Sequence, residues 1–528
     1  MINDIIPSKN IYELILEESL IYPDKILLSI DQEEVTYKKF TEMVDNIASA
    51  LYNLGTVPKQ KIALIIPNSI LWYEIYWAVV KLGAHPVPFD PQIGQWEMSR
   101  LISIGDIEIC FTANCYRSNA ILQNLLNIRN EVPLLKTVIS VQNETLENIL
   151  SFDDFLNLSN KDKFYDNIYT PNEEDPLMLA CTSGSTGNPK IIVVPHLGFY
   201  KSQKDMGDYL GLNENDIMLL GMPLYHQGGF GMGLQLILKG GTVLYQPTFD
   251  PIKFLKTIEQ KKITIIQLTA TLAKILLSLP DFKNYNLSSV RMCYFAGEVL
   301  PMEVAQIFFK QLGIRLINVI GSSETATMVV WDSKFDQDAD VNEFRELSFT
   351  KLKLLNKKGA KVSEGETGTI FIHTDALINE YYKNKTETDL RIISIEGEKW
   401  FNTGDLAVQK PYGRIRFSGR AKRVIKRGAN LVYPEEIEGF LLSHPYIKSI
   451  AVVGEKDELI GEMIVAYIKP RKGFEITRGE ILKFCRGKLA AYKIPDQVIL
   501  MDEIPNDIGK VQYKYLRQYK KVNNNDKK

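Results

Sequence analysis

A chain of 528 residues that is 45% hydrophobic and 24% charged has the balance of a soluble globular enzyme and is too long for one small core, so several domains are expected. Its formal net charge of −2 gives no electrostatic footprint for nucleic acid, which leaves small anions as the expected charged partners. Five scattered cysteines (Cys110, Cys115, Cys181, Cys293, Cys485) have neither disulfide nor zinc spacing, and no basic stretch precedes an apolar run at Met1 to Asn10, so the expected compartment is the cytoplasm.

Taken in chain order, Lys61 to Ile66, Ile70 to Leu82 and Pro86 to Phe89 predict a strand, a helix and a strand. The most membrane-like run, Ile62 to Val80, contains Pro67, Asn68, Ser69 and Glu74, groups costly in hydrocarbon, so no membrane span is expected. The apolar run Leu177 to Ala180 then leads into Thr182-Ser183-Gly184-Ser185-Thr186-Gly187-Asn188-Pro189-Lys190. Glycines let backbone N–H groups close on an anion, hydroxyls add short donors and Lys190 supplies a cation, which predicts a phosphate grip. Asn188 and Pro189 separate Gly187 from Lys190, so the segment is not a P-loop. Further on, Ile263 to Leu268, Leu272 to Leu279, Val290 to Ala296, Val304 to Leu312 and Arg315 to Ile320 alternate as strand and helix. This rhythm predicts an α/β fold of mostly parallel, helix-covered sheets. From Glu346 to Phe417 short alternating strands punctuated by Gly365-Glu366-Thr367-Gly368 and Pro411-Tyr412-Gly413 predict a small barrel-like β subdomain. After Arg420, Ser449 to Val453, Met463 to Ile468, a helix near Gly479 to Leu489 and Gln497 to Met501 predict a separate α+β module. The expected domains are 1–421, with the β subdomain at 346–417, then 422–519, with a fraying tail at 520–528.

Four more clusters sit at predicted strand ends and at the domain junction, where ligands bind in such folds. Asn318-Val319-Ile320-Gly321-Ser322-Ser323-Glu324-Thr325 offers hydroxyls and one carboxylate, and Glu324 suits a Mg²⁺ shared with nucleotide phosphates. Phe401-Asn402-Thr403-Gly404-Asp405 presents a carboxylate suited to ribose hydroxyls, while Gly419 to Gly428 is strongly cationic and Pro505 to Lys510 puts a lysine on a tight turn. Each cluster alone reads equally as a cap, a turn or a solvated face. Five clusters in one order, each suited to ATP, are not coincidence.

In that order the motifs Thr-Ser-Gly-Ser-Thr-Gly-x-Pro-Lys, Gly-x-Ser-Glu, Thr-Gly-Asp, Gly-Arg-x-Lys-x-x-Ile-Lys-x-Gly and Gly-Lys resemble those of the adenylate-forming superfamily of acyl- and aryl-CoA synthetases, peptide-synthetase adenylation domains and firefly-type luciferases. The resemblance runs from Val35-Thr36-Tyr37 to Lys510 and implies a two-step enzyme: a carboxylate attacks the α-phosphate of ATP, giving acyl-AMP and pyrophosphate, and a thiol then displaces AMP. It implies that Lys510 bridges the carboxylate and the α-phosphate, that Ser323 donates to that phosphate and that Glu324 holds Mg²⁺. Thr182 to Gly187 and Lys190 would hold the departing phosphates, Gly297, Glu298, Asn318, Ile320 and Gly321 the nucleotide, and Asp405 with Arg420 the ribose. A small mobile C-terminal domain would turn about a hinge at Lys422, with Gly428 at the thiol tunnel. Ile320 stands where relatives commonly have an aromatic residue, and Gly428-Ala429 where many have two glycines.

Met222 to Gly231 resembles the segment lining the acyl pocket, with His226 where amino-acid-activating domains place an aspartate, so an aromatic or other apolar acid is expected. His226 reads alternatively as a core histidine. Gly228, Gly229, Gly231 and Gly233 either admit a flat ligand or ease helix packing. The segment Phe295 to Pro301 looks closest to aryl and medium-chain acyl-CoA ligases. No carrier module follows Lys510, so the expected thiol is CoA, alternatively the phosphopantetheine of a separate carrier protein. A non-catalytic binding protein on the same fold is the answer from another class.

Overall fold

Strands Lys61–Ile65, His85–Pro88 and Ile109–Thr112 are short and almost wholly buried, with both faces covered. Lys61–Ile65, His85–Pro88, Ile109–Thr112, Thr137–Ser140 and Leu150–Ser151 form one all-parallel sheet, in the order His85–Pro88, Lys61–Ile65, Ile109–Thr112, Thr137–Ser140, Leu150–Ser151. The computed structural model describes residues 9–516 apart from 32, 118, 144–146, 161–168, 173–174, 183–189, 247, 298, 421–424, 428–429, 433, 458–459, 487–488, 490–492, 508–509 and 514. These residues fall into two units, drawn from Met1–Val341, Arg345–Leu352 and Ile372–Phe401, and from Asn342–Phe344, Lys353–Phe371 and Asn402–Lys528.

In the first unit a second sheet runs Ala326–Asp332, Arg315–Ser322, Met292–Ala296, Ile265–Leu268, Ile217–Leu220, Thr242–Tyr245, Ile26–Ile30, Glu33–Thr36. Its inner pairings are parallel and its two outermost ones antiparallel. A third, antiparallel set comprises Glu380–Tyr381, Lys190–Pro195 and Pro176–Thr182. The α/β class expected from the alternating runs is the class observed; helix Ile70–Lys81 falls inside its predicted span, and helix Ala270–Leu277 overlaps the predicted Leu272 to Leu279 but begins two residues earlier.

Helix Ile70–Lys81 is mostly apolar on every face because all its residues but Leu71 are buried, with Ser69 capping Trp72 N. Its Trp72, Tyr73, Tyr76 and Trp77 surround Phe230 of helix Gln227–Ile237, with ring centroids 4.6–6.3 Å from it. Among the described residues no helix is long and apolar enough to cross a membrane. Glu74 lies within this buried helix, and desolvation, reinforced by the nearby Glu33, pushes its carboxyl up to about 8. The folded state therefore keeps the proton between about pH 4.5 and about 8 while the unfolded chain has lost it, so stability falls across that window as pH rises, by about 1.4 kcal/mol per pH unit at most. Glu74→Gln removes this slope: thermal melting of the variant is expected to match wild type near pH 5 and to lie above it at pH 8, and coincident curves at pH 8 would disprove the assignment.

In the second unit, strand Gly461–Pro470 pairs antiparallel with Ile447–Asp457 and Ile425–Arg427 and parallel with Gln497–Leu500. Helices Pro434–Leu442 and Arg478–Cys485 close its core over Ile437, Leu441, Val452, Ile464 and Ile481. Between residues 346 and 417 lie the strands Thr350–Leu355, Thr367–Thr374 and Glu398–Gln409, and this span is divided between the two units. The structure adds the two-residue strand Glu380–Tyr381 and the helix Lys385–Arg391. That helix buries none of its residues, so it carries no apolar stripe for a periodicity reading to find.

Candidate active site

The glycine- and hydroxyl-rich segment is flanked by two antiparallel strands. Strands Pro176–Thr182 and Lys190–Pro195 pair with Thr182 opposite Lys190, which fixes both ends of the loop. Ser183, Gly184, Ser185, Thr186 and Gly187 lie outside the described residues, as do Glu298, Lys422 and Gly428. Lys190, mostly buried, sets its Nζ 3.0 Å from Glu387 Oε1 and 5.5 Å from the ring centroid of Tyr381. Glu387 also accepts from Arg391 Nε at 3.2 Å. Burial pushes the Glu387 carboxyl up, but Lys190 and Arg391 outweigh it and hold the group below the usual carboxylate range.

Glu324 stands on the three-residue connection between strands Arg315–Ser322 and Ala326–Asp332. The connection is tight: a Cβ on Gly321 would come 2.6 Å from Ala326 O, and Ala326 itself takes φ 55°. Ser322 Oγ meets Thr325 Oγ1 at 3.0 Å and accepts from Glu324 N at 3.2 Å, while Ser323 is half-buried on the same connection. Glu324 Oε1 accepts from Tyr381 Oη at 2.9 Å. Burial, then the Glu324 charge and hydrogen bond, push that phenol far above its ordinary range. Lys190 and Glu324 thus converge on Tyr381, a residue outside every motif read from the sequence. Glu387 and Arg391 were equally invisible there. Asn384 caps their helix by accepting from Glu387 N, so Asn-x-x-Glu reads as a helix start, although the Glu387 carboxylate turns to Lys190.

The other candidates are spread over both units. Asn318 is buried in its strand with Nδ2 donating to Val341 O at 2.8 Å, Ile320 is half-buried beside a bulge, and Gly297 takes φ 87° just beyond strand Met292–Ala296. His226 is half-buried immediately before helix Gln227–Ile237, its ring 4.8 Å from that of Tyr225, so it is not a core histidine. In that helix a Cβ at Gly229 would meet Pro223 O at 2.4 Å and one at Gly233 would meet Tyr245 Oη at 2.3 Å, so these glycines serve helix packing. In the second unit Asp405, buried, stands opposite Arg420 in the pairing of Glu398–Gln409 with Ile415–Arg420. Asp405 N donates to Thr403 Oγ1 at 3.0 Å, and Lys510 lies in the hairpin of Asn506–Asp507 with Lys510–Val511. Arg420 and Lys510 are described through their backbone alone.

Among the described residues no three His, Cys, Asp or Glu side chains gather into a metal cage. A lone carboxylate such as Glu324 fits Mg²⁺ in the way a nucleotide-bound ion needs, with phosphate oxygens and water supplying the rest of an octahedron.

Residues 17–382 match the model of the AMP-binding enzyme family and residues 436–508 that of the AMP-binding enzyme C-terminal domain, so the chain belongs to the AMP-binding, adenylate-forming enzymes. The chain is 27% identical over 504 residues to the indoleacetate–CoA ligase of Aromatoleum aromaticum, covering 94% of this chain and 95% of that protein. It is likewise 27% identical over 530 residues to the human mitochondrial medium-chain acyl-CoA ligase ACSF2, covering 94% and 85%. The crystal structure of the anthranilate CoA ligase AuaEII with anthranoyl-AMP shares the fold, with a TM-score of 0.86 at 24% identity over 97% of each chain.

Proposed function

We propose that this chain is an AMP-forming acid–thiol ligase that activates an aromatic or other apolar carboxylic acid with ATP and passes the acyl group to CoA. The observation that carries this reading is the convergence of Lys190 and Glu324 on Tyr381 beside strand Lys190–Pro195, in a member of the adenylate-forming enzymes. The acid is already ionised near neutral pH, so the first half-reaction needs no base; it needs alignment and neutralisation of charge. The carboxylate oxygen bonds to the α-phosphorus as the bond to the pyrophosphate oxygen breaks. Lys510 screens the two approaching anions, Ser323 donates to the α-phosphate, and Lys190 with the Thr182–Lys190 loop receives the leaving pyrophosphate. Asp405 and Arg420 hold the ribose, and Gly297, Glu298, Asn318, Ile320 and Gly321 flank the nucleotide. Mg²⁺, when bound, neutralises phosphate charge, and Glu324 is the protein carboxylate that would hold it. In the second half-reaction the CoA sulfur attacks the acyl carbonyl, AMP leaves, and the thiol proton goes to solvent. Rotation about Lys422 withdraws Lys510 and brings the segment reaching Gly428 to the site.

The apolar acid is supported by the absence of any charged side chain in helix Gln227–Ile237 and by His226 in place of an aspartate. All five cysteines are free, in keeping with a cytoplasmic setting. Purified protein is expected to show acid-dependent ATP–pyrophosphate exchange with aromatic or medium-chain acids, and thioester formation when CoA is added. Silence across a broad panel would favour a binding protein, whereas exchange without CoA thioester would assign the acyl group to a separate carrier protein.

A further inference from the structure

Chain segment 378–382 does two things at once. Along one side it is laid onto the strand that leaves the phosphate-gripping loop: Asn379 N donates to Val193 O at 2.9 Å, Tyr382 N donates to Ile191 O at 2.8 Å, and Tyr381 stands opposite Ile192. Along the other it ties down the Glu324 connection, with Ile378 N donating to Glu324 O at 2.9 Å and Tyr381 Oη to Glu324 Oε1 at 2.9 Å. Thr388 Oγ1 in turn accepts from Tyr381 N at 3.0 Å, which fixes the tyrosine's own backbone. The side chain that results has two working surfaces. Its hydroxyl is a charge-assisted donor to a carboxylate. Its ring face lies near the Lys190 ammonium, which is held from another direction by Glu387.

We propose that Tyr381 is the positioning residue of the ATP site, its hydroxyl orienting Glu324 toward the metal–phosphate side and its ring seating Lys190 for the leaving pyrophosphate. The assignment rests on the roles given above to Glu324 and Lys190. Tyr381 touches neither ATP nor the reacting atoms in this scheme; it presets the spacing of one anionic and one cationic group that must act on the same polyphosphate. Presetting matters because each group is a long side chain whose rotamers would otherwise have to be ordered when ATP arrives. The two surfaces also separate the two roles chemically. Phenylalanine keeps the ring and loses only the hydroxyl, whereas leucine loses both.

The test is equilibrium binding of ATP by titration calorimetry across a Mg²⁺ series, on the full chain, with Mn²⁺ paramagnetic resonance as a direct readout of the bound ion. Tyr381→Phe is expected to raise the Mg²⁺ concentration that half-saturates the enhancement of ATP binding by on the order of tenfold, the scale of one lost hydrogen bond to a charged group. It is expected to leave metal-free ATP affinity unchanged. Tyr381→Leu is expected to weaken metal-free ATP binding as well. An unchanged Mg²⁺ response in Tyr381→Phe, or an equal loss with and without Mg²⁺, would overturn the proposal, because a merely structural tyrosine gives one or the other. Glu324→Gln and Lys190→Ala test the underlying roles separately: if the first leaves the Mg²⁺ response intact, or the second leaves ATP affinity intact, the roles themselves fail and the positioning role falls with them. Thermal melting of each variant separates loss of fold from loss of positioning.

Discussion

Lys510→Ala lowers acyl-adenylate formation by on the order of a hundredfold or more, the usual consequence of deleting a positioned charged donor from a site where charge is being redistributed. The measurement is acid-dependent pyrophosphate release. The same variant, supplied with presynthesised acyl-AMP and CoA, should form thioester within about twofold of wild type, because once the acid is joined to the α-phosphate there is no longer a second anion to bring against it. Two features of the chain support the division of labour. Lys510 lies in a two-residue hairpin of the second unit, whereas Lys190 and Glu324 belong to the first. The attacking carboxylate and the α-phosphate are both anions, so a cation is required where they meet, while thiol attack on a mixed anhydride brings no second anion to that point. A variant that still makes acyl-AMP but cannot make thioester would reverse the role given to Lys510.

Lys422→Pro gives the complementary pattern. Proline fixes φ near −65° and removes an N–H, so a residue that must change its backbone angles between half-reactions is locked near one of them. Thioester formation should fall by on the order of tenfold or more while pyrophosphate release changes by about twofold or less. Equal losses in the two half-reactions would remove Lys422 from the hinge. Single-turnover rates for each half-reaction, measured on the same preparation, decide between these outcomes.

The parts of the molecule legible in the sequence are those whose physics is local. Lys61–Ile65 and Ile70–Lys81 announce themselves because both are predominantly apolar and differ in length, and Ser69, one of the polar groups between them, is the helix cap. The alternation from residue 263 to residue 320 is legible for the same reason. The flanking strands Pro176–Thr182 and Lys190–Pro195 are short apolar runs of the same local kind. What escaped the sequence depends on partners far along the chain. Tyr381 reaches Glu324 across 57 positions, a separation at which no pattern of spacing operates. Glu387 is hidden by its own helix cap, and of the two readings open for Gly229 and Gly233 only the contacts with Pro223 and Tyr245, remote from any local pattern, single out helix packing. Phe230, inside the same glycine-rich segment, is an aromatic core residue among Trp72, Tyr76 and Trp77, partners more than 150 positions away in the chain.

The interleaved course of the chain has a practical corollary. After Leu352 it leaves the first unit, and it returns there from Ile372 to Phe401 with Tyr381, Glu387 and Arg391 aboard. A fragment cut at Val341 or Leu352 would carry strands Pro176–Thr182 and Lys190–Pro195 and Glu324 yet lack the stretch that joins them, and strand Lys190–Pro195 would be left with a bare edge where Glu380–Tyr381 belongs. Modular reuse of this enzyme, whether by swapping acid-selecting halves or by fusing the second unit to another partner, therefore has to place its seam beyond Phe401.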